Sequence, residues 1–236
     1  MQMRAYPAEY GFRWINEGFA LFKKNPIIWV ALTLILFCVG LALSAIGVVG
    51  QLLFYLLSPV FLAGLIEGCR ALSAGGELEI AHLFAGFRKN PVPLVTLGGI
   101  YAIGQVLIMG AMLFAGGEEM YSLFETSAEE LDPQRVMEVL LLPLLVGAAL
   151  SVPFMMALWF APILVYLGEQ SPLNSVAASF YACLTNFVPF LVYGAILLVL
   201  AFIAAIPFML GFLVLIPVIV TSVYESYLDI FEPKSA

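Results

Sequence analysis

The chain has 236 residues, of which 63% are hydrophobic and only 11% charged, and its mean hydropathy is +1.07. Soluble domains carry about 25% charged residues, so this chain lacks the polar groups needed to cover a water-facing surface, and lipid must solvate most of it. A net charge of −7 excludes the basic face on which nucleic-acid binding depends.

The N-terminal stretch "MQMRAYPAEYGFRWINEGFALFKKNP" is polar and aromatic. It has neither the apolar core nor the small-residue cleavage site of a signal peptide, so it is expected to stay in the mature protein. Within it "FRWINEGFALFKK" reads as a short amphipathic helix, with Phe19 and Phe22 three apart on one face. Asn25 and Pro26 follow. Asn is a preferred N-cap, and Pro in the next position has no amide to leave unpaired and already holds a helical φ. At the edge of hydrocarbon an unpaired N–H costs several kcal/mol, so an Asn-Pro pair is a sound way to turn a helix lying on the membrane into one that crosses it. Lys23 and Lys24 can reach the head groups while their stems stay in the apolar zone.

Crossing about 30 Å of hydrocarbon takes roughly 20 apolar residues. Stretches that qualify run over 27–49, 52–72, 92–114, 142–167, 187–206 and 208–228. The first two are parted only by "GVVGQ" and the last two by Pro207 and its neighbours, which predicts two helical hairpins. The third and fourth are joined by a long polar loop, "GGEEMYSLFETSAEELDPQR". Near its end, Asp132 and Pro133 repeat the capping pattern and predict a short helix on the outer surface. Pro143, Pro153 and Pro162 predict a kinked or broken fourth span.

The opening phrase recurs. "FKKNPIIW" is echoed by "FRKNPVPL" and, more loosely, by "CLTNFVPF", aligned on Asn25, Asn90 and Asn186. The third copy departs from the pattern, with Phe187 in place of Pro. The inward-running spans repeat as well. Each has a Pro midway and a Glu seven or eight residues later: Pro59 and Glu67, Pro162 and Glu169, Pro217 and Glu225. The predicted architecture is an all-α polytopic membrane protein of six transmembrane helices. One integral membrane domain is built from three units, about 11–79, 80–170 and 171–232, each an interfacial helix followed by a helical hairpin.

Orientation follows the lysines and arginines. With six spans, Arg4, Arg13, Lys23, Lys24, Arg70, Arg88, Lys89 and Lys234 share one side and only Arg135 lies on the other. Both termini are therefore expected in the cytoplasm.

Ionisable residues within membrane spans are costly and mark functional sites by default. Glu67, Glu169 and Glu225 are the candidates for lining a polar cavity. They lie near the cytoplasmic ends of their spans, where head groups and water can solvate them, and Arg70 is close enough to pair with Glu67. Asn25, Asn90 and Asn186 read as interfacial helix caps, the alternative being a triad that holds a ligand. Gln51, Gln105 and Tyr55 either add polarity to the bundle interior or hydrogen-bond between helices. "GLIEG", Gly64 to Gly68, would allow a close approach of two helices. His82 is the single histidine, and nothing pairs with it as a catalytic base. Cys38, Cys69 and Cys183 are scattered and form no CxxC pair, so no metal site is expected. No phosphate-binding loop, dinucleotide turn, HExxH or GxSxG is present. Neither a cofactor nor enzymatic activity is expected.

"RWINEGFALFKKNPIIW" and "FAPILVYLGEQSPLNSVAASFYACLTNFVPF" resemble segments of a family of uncharacterised proteobacterial multi-pass membrane proteins. The shared features of the first are Trp14, Gly18, the Leu-Phe and basic pairs, and the Pro and Trp that follow. Helix-pair repeats of the same general kind occur in the membrane domain of some glycerophosphodiester phosphodiesterases. The resemblance implies an all-helical inner-membrane protein and carries over no catalytic residue. The expectation is a scaffold or accessory subunit in contact with the lipid bilayer and with a membrane-protein partner or a second copy of itself. The alternative is a transporter or channel-like protein for lipids or other small amphiphiles.

The topology is open to direct test. In a cysteine-free background, Ser127→Cys should react with an impermeant maleimide added to intact cells and Ser235→Cys should not. The opposite pattern would reverse the orientation.

Overall fold

A computed structural model describes residues 3–89, 91–125 and 132–232. Among these the regular elements are helical. They are α1 (Tyr10–Phe22), α2 (Pro26–Ser44), α3 (Val48–Ser73), a 3-10 turn (Ile80–Phe84) running into α4 (Ala85–Arg88), α5 (Pro91–Glu125), α6 (Pro133–Trp159), α7 (Ala161–Tyr166), α8 (Pro172–Thr185), α9 (Phe187–Ala205) and α10 (Phe212–Phe231). Six segments are long and apolar enough to cross a membrane: Pro26–Ser44, Val48–Ser73, Pro91–Met120, Pro133–Tyr166, Phe187–Ala205 and Phe212–Phe231.

Four boundaries differ from the sequence reading. The first hairpin turns at 45–47, where Gly47 takes a φ of +66°, rather than at "GVVGQ". The polar loop is helical as far as Glu125, and α5 is kinked at Gly117 (φ 57°, ψ −156°) instead of ending near 114. The rest of that loop, 126–131, lies outside the described residues. Asp132 caps α6 as the pattern suggested, its carboxylate accepting from the Gln134 N–H at 3.1 Å, but the helix continues unbroken into the span. At the second hairpin, Phe208 and Met209 have φ values of +50° and +67°, which a continuing helix excludes, so α10 starts at Phe212 and not at 208.

Where a helical hydrogen bond in a span is lost, at Pro59 and at Phe160, a hydroxyl stands in for the missing partner. Pro59 cannot donate to the Tyr55 carbonyl, and the Ser58 hydroxyl donates to it instead at 3.1 Å. The chain runs helically through Pro143 and Pro153 and breaks at Phe160, just before Pro162. There the Ser179 hydroxyl from α8 enters the ladder. It donates to the Met156 carbonyl at 2.7 Å and accepts the Phe160 N–H at 2.9 Å. A helix kinks where a side chain is inserted in this way.

α10 is the hub, packing against α1, α2, α3 and α9. Its second half is almost wholly buried, with Thr221, Ser222 and Tyr227 sealed from solvent. Small residues let the short helices lie against the spans. A Cβ at Gly18 of α1 would collide with the Ser222 backbone of α10, and one at Gly86 of α4 with the Val60 carbonyl of α3. Gly64 meets the Leu83 carbonyl and Gly68 the Leu78 side chain. The Gly64–Gly68 pattern therefore seats the segment before α4, not a second transmembrane helix.

Replacing Ser179 with Ala should leave the Phe160 N–H and the Met156 carbonyl unpaired and lower stability by about 1–3 kcal/mol. Ser175→Ala removes only a bond within α8, to the Ser171 carbonyl at 3.0 Å, and should cost much less. Thermal unfolding in mild detergent, followed by helical circular dichroism, compares the two.

Candidate functional site

The polar side chains gather at the end of the bundle where the two ends of the described chain meet. The Arg4 N–H donates to the Ile230 carbonyl at 3.2 Å. Asn186, fully buried between α8 and α9, holds this N-terminal segment with both ends of its amide. Its Oδ1 accepts the Tyr6 N–H at 2.9 Å, and its Nδ2 donates to the Arg4 carbonyl at 3.0 Å and to the Ala182 carbonyl at 3.1 Å. The Tyr6 hydroxyl donates to the Asp229 carbonyl at 2.8 Å, and the Trp14 indole N–H donates to the Asp229 carboxylate at 3.0 Å. Burial, and after it the Asp229 charge, pushes the Tyr6 hydroxyl above its ordinary pKa, so it stays a donor at neutral pH.

This corrects one expectation. Asn186 is not a side-chain cap of α9, because its amide is committed to the Arg4–Tyr6 segment. Asn25 does cap α2, accepting the Ile28 N–H at 3.4 Å with Pro26 following. Asn90 lies outside the described residues. The asparagines at 25 and 186 thus do different work, and the loss of Pro at 187 was the one sign of it in the sequence.

The three glutamates occupy two places. Glu67 on α3 is gripped by the Arg70 guanidinium, with Nη2 at 2.6 Å and Nε at 3.1 Å, and accepts the Tyr166 hydroxyl at 3.1 Å. Lys89 lies over the Tyr166 ring, 5.3 Å from its centroid, and its Nζ is 3.4 Å from the Glu169 carboxylate. Glu67 and Glu169 are therefore joined through Tyr166 and Lys89. Glu169 follows α7 with a φ of +50°, and its side chain is 69% exposed. Glu225 lines a different feature, a cleft of about 380 Å³ shared with Glu17, Lys24 and Ser73. Lys24 donates there to the Leu72 carbonyl at 3.0 Å, and Glu17 pairs with Arg13 at 2.7 Å.

Tyr166 and Asp229 were not singled out from sequence. Their roles depend on contacts 99 and 215 residues away along the chain, which no local pattern encodes. His82 stays local, its Nδ1 accepting the Glu79 N–H at 3.0 Å in a capping box. Cys183 is buried in α8, which pushes its thiol up to about 12 and leaves it unreactive at neutral pH. Among the described residues no group of three or more His, Cys, Asp or Glu side chains could hold a metal ion.

Apolar cavities lie away from this polar end: one of about 430 Å³ between α5 and α6, and two that are larger. One, of about 600 Å³, opens between α6 and α9, with α10 as its floor. The other, of about 870 Å³, lies between the α2–α3 hairpin and the 208–216 stretch. Neither is lined by Glu67, Glu169 or Glu225.

Among curated proteins, a probable inner membrane protein of Burkholderia thailandensis is 31% identical to this chain over 207 residues, covering 85% of the chain and 77% of that protein. No family model and no solved structure matches. These comparisons lend no support to the likeness with the membrane domain of glycerophosphodiester phosphodiesterases.

The clamp and the cap should respond differently to the same change. Asn25→Ser keeps a capping oxygen and should be nearly neutral, while Asn25→Leu should cost about 1 kcal/mol. Asn186→Asp loses both Nδ2 donors and strands the Arg4 carbonyl, at about 1–3 kcal/mol. Proteolysis near residue 7 should accelerate in Asn186→Asp and remain unchanged in both Asn25 variants.

Proposed function

Because the chain belongs to the same family as the Burkholderia thailandensis protein and is an integral inner-membrane protein, we propose that it is a non-enzymatic scaffold or accessory subunit acting through partners in the plane of the membrane. The observation that carries this reading is the fate of the repeat-related carboxylates. Glu67 and Glu169 are tied into one local network and Glu225 lines a separate cleft, so the three do not face a common water-filled vestibule. A conduit built around a pseudosymmetry axis would bring them together. Glu67 and Glu169, paired where they are, brace the end of the bundle. The apolar faces, including Phe37, Val106 and Phe202, remain for lipid or a neighbouring protein.

The three-unit reading, with bounds near 11–79, 80–170 and 171–232 and both termini in the cytoplasm, belongs to the same proposal. Its support is the way the short helices are held. α1 lies on α10 and α9, the Ile80–Arg88 segment on α3, and α8 on α6 and α7. Each interfacial segment is thus seated on the inward span of the preceding unit, and the first is seated on the third. Asn186 and Asp229 fasten that last junction.

The rival, a carrier of lipids or other small amphiphiles, draws on the two larger apolar cavities. The test separates the two. Proteoliposomes holding a nitrobenzoxadiazole-labelled phospholipid should show no protein-dependent scrambling by dithionite quenching. In cells, photo-crosslinkers at 37, 106 and 202 should give a discrete adduct from one face. Scrambling that is abolished by Glu→Gln at 67, 169 and 225 would overturn the scaffold.

A further inference from the structure

The cavity between α6 and α9 has a length and a lining that identify an occupant. On α6 its wall runs from Ala148 to Trp159, and on α9 from Phe187 to Ala201. At 1.5 Å per residue these walls are about 17 and 21 Å long. A hydrocarbon core of about 30 Å gives each leaflet about 15 Å, so the groove is longer than one leaflet and shorter than the whole core. Its Trp159 and Phe187 end lies beside Asn186, at the end of the bundle where the two ends of the described chain meet. Trp at that level is the ordinary mark of the membrane–water interface.

The lining holds no charged residue, and its one phenol is already engaged: the Tyr193 hydroxyl is 2.7 Å from the Ser222 hydroxyl. The groove therefore has no charge with which to select an ionic ligand, and its remaining polar groups are the Ser151 hydroxyl and, at its interfacial end, the Trp159 indole N–H, which is buried with no partner among the described residues. A transmembrane helix from a partner or from a second copy would need a seat about 30 Å long and would leave roughly a third of itself or more without one. At about 600 Å³ the cavity falls within the range of about 300–1,000 Å³ typical of small-molecule sites. Met155 and Met156 in the wall add a soft, adaptable surface for a flexible chain. One wall also has a bare patch, because a Cβ at Gly194 would meet nothing within 4 Å.

We propose that the α6–α9 groove is a binding site for one acyl chain of a glycerophospholipid from the leaflet at the Asn186 end of the bundle. The chain lies along α9 past Gly194, with its glycerol end at the level of Trp159. This site is separate from the Glu67 and Glu225 networks and does not depend on the scaffold reading.

Gly194→Phe brings a ring into the groove from its open side, at a position where a Cβ meets nothing within 4 Å. Wild type and variant would be reconstituted in phosphatidylethanolamine–phosphatidylglycerol vesicles containing a phosphatidylcholine with a mid-chain diazirine. After irradiation, adducts are mapped by mass spectrometry. Wild type should carry adducts on Met155 and Leu191, and Gly194→Phe should lose them roughly tenfold, because the ring takes the place of the chain. Adducts on the lipid-facing Val106 and Met109 of α5 serve as the internal reference and should not change. Equal melting curves for the two proteins establish that the variant is folded. Should it not fold, Gly194→Leu is the replacement. Adducts at Met155 that match the α5 reference in both proteins would overturn the site. So would an efficient disulfide between two copies of Gly194→Cys, which would assign the groove to a second chain.

Discussion

The whole structure depends on one constraint. A backbone N–H or carbonyl in hydrocarbon has no water to turn to, so every break in a helix must be repaired by another part of the protein. This chain repairs two breaks in its spans, at Pro59 and at Phe160, with hydroxyls. Ser58 repairs locally, within its own helix. Ser179 repairs from outside, reaching from α8 to bridge Met156 and Phe160. The second kind of repair turns a defect into a tertiary contact, because α6 and α7 can bend there only while α8 lies against them. The short helices are thus structural members of the bundle as well as interfacial ones.

Close approach and polar fastening work together in the remaining short elements. Glycines at 18, 64 and 86 bring backbone against backbone, which strengthens dispersion contacts where no hydrophobic drive separates protein from lipid. Asn186 and Asp229 then fix the register of the N-terminal segment. A buried amide that satisfies both its donor and acceptor sides on a single partner segment is demanding in geometry, and so it specifies one arrangement. The carboxylates outside this core serve a milder purpose. Exposed pairs such as Arg13–Glu17 contribute little each, and their value lies in anchoring the polar end of the bundle at the head-group layer.

The two larger cavities show where the protein spends no such effort. Their walls are mostly aliphatic, aromatic and thioether, with the Thr33 and Ser58 hydroxyls bonded within their own helices and the Tyr193 hydroxyl bonded to Ser222. Such a surface costs little to expose to lipid and much to expose to water. The polar end and the apolar grooves therefore divide the molecule into a part that fixes its shape and a part that meets the bilayer.

Composition and period were enough to determine six apolar segments, their pairing into hairpins and the cap at Asn25, because each depends on residues close together in the chain. The same local logic found the pairing of Glu67 with Arg70, three residues apart on one helix. It placed the turns at 45–47 and 206–211 a few residues off, since hydropathy does not fall where an apolar tip turns: Phe208 and Met209 are as hydrophobic as the helices they separate. Only the tertiary structure decided that Asn186 clamps the N-terminus, that Tyr166 joins Glu67 to the Lys89–Glu169 pair, and that Glu225 stands apart. Those outcomes rest on which helix lies beside which, a matter of backbone approach and buried hydrogen bonds across more than 90 residues, and a repeated phrase read along the chain carries no record of it.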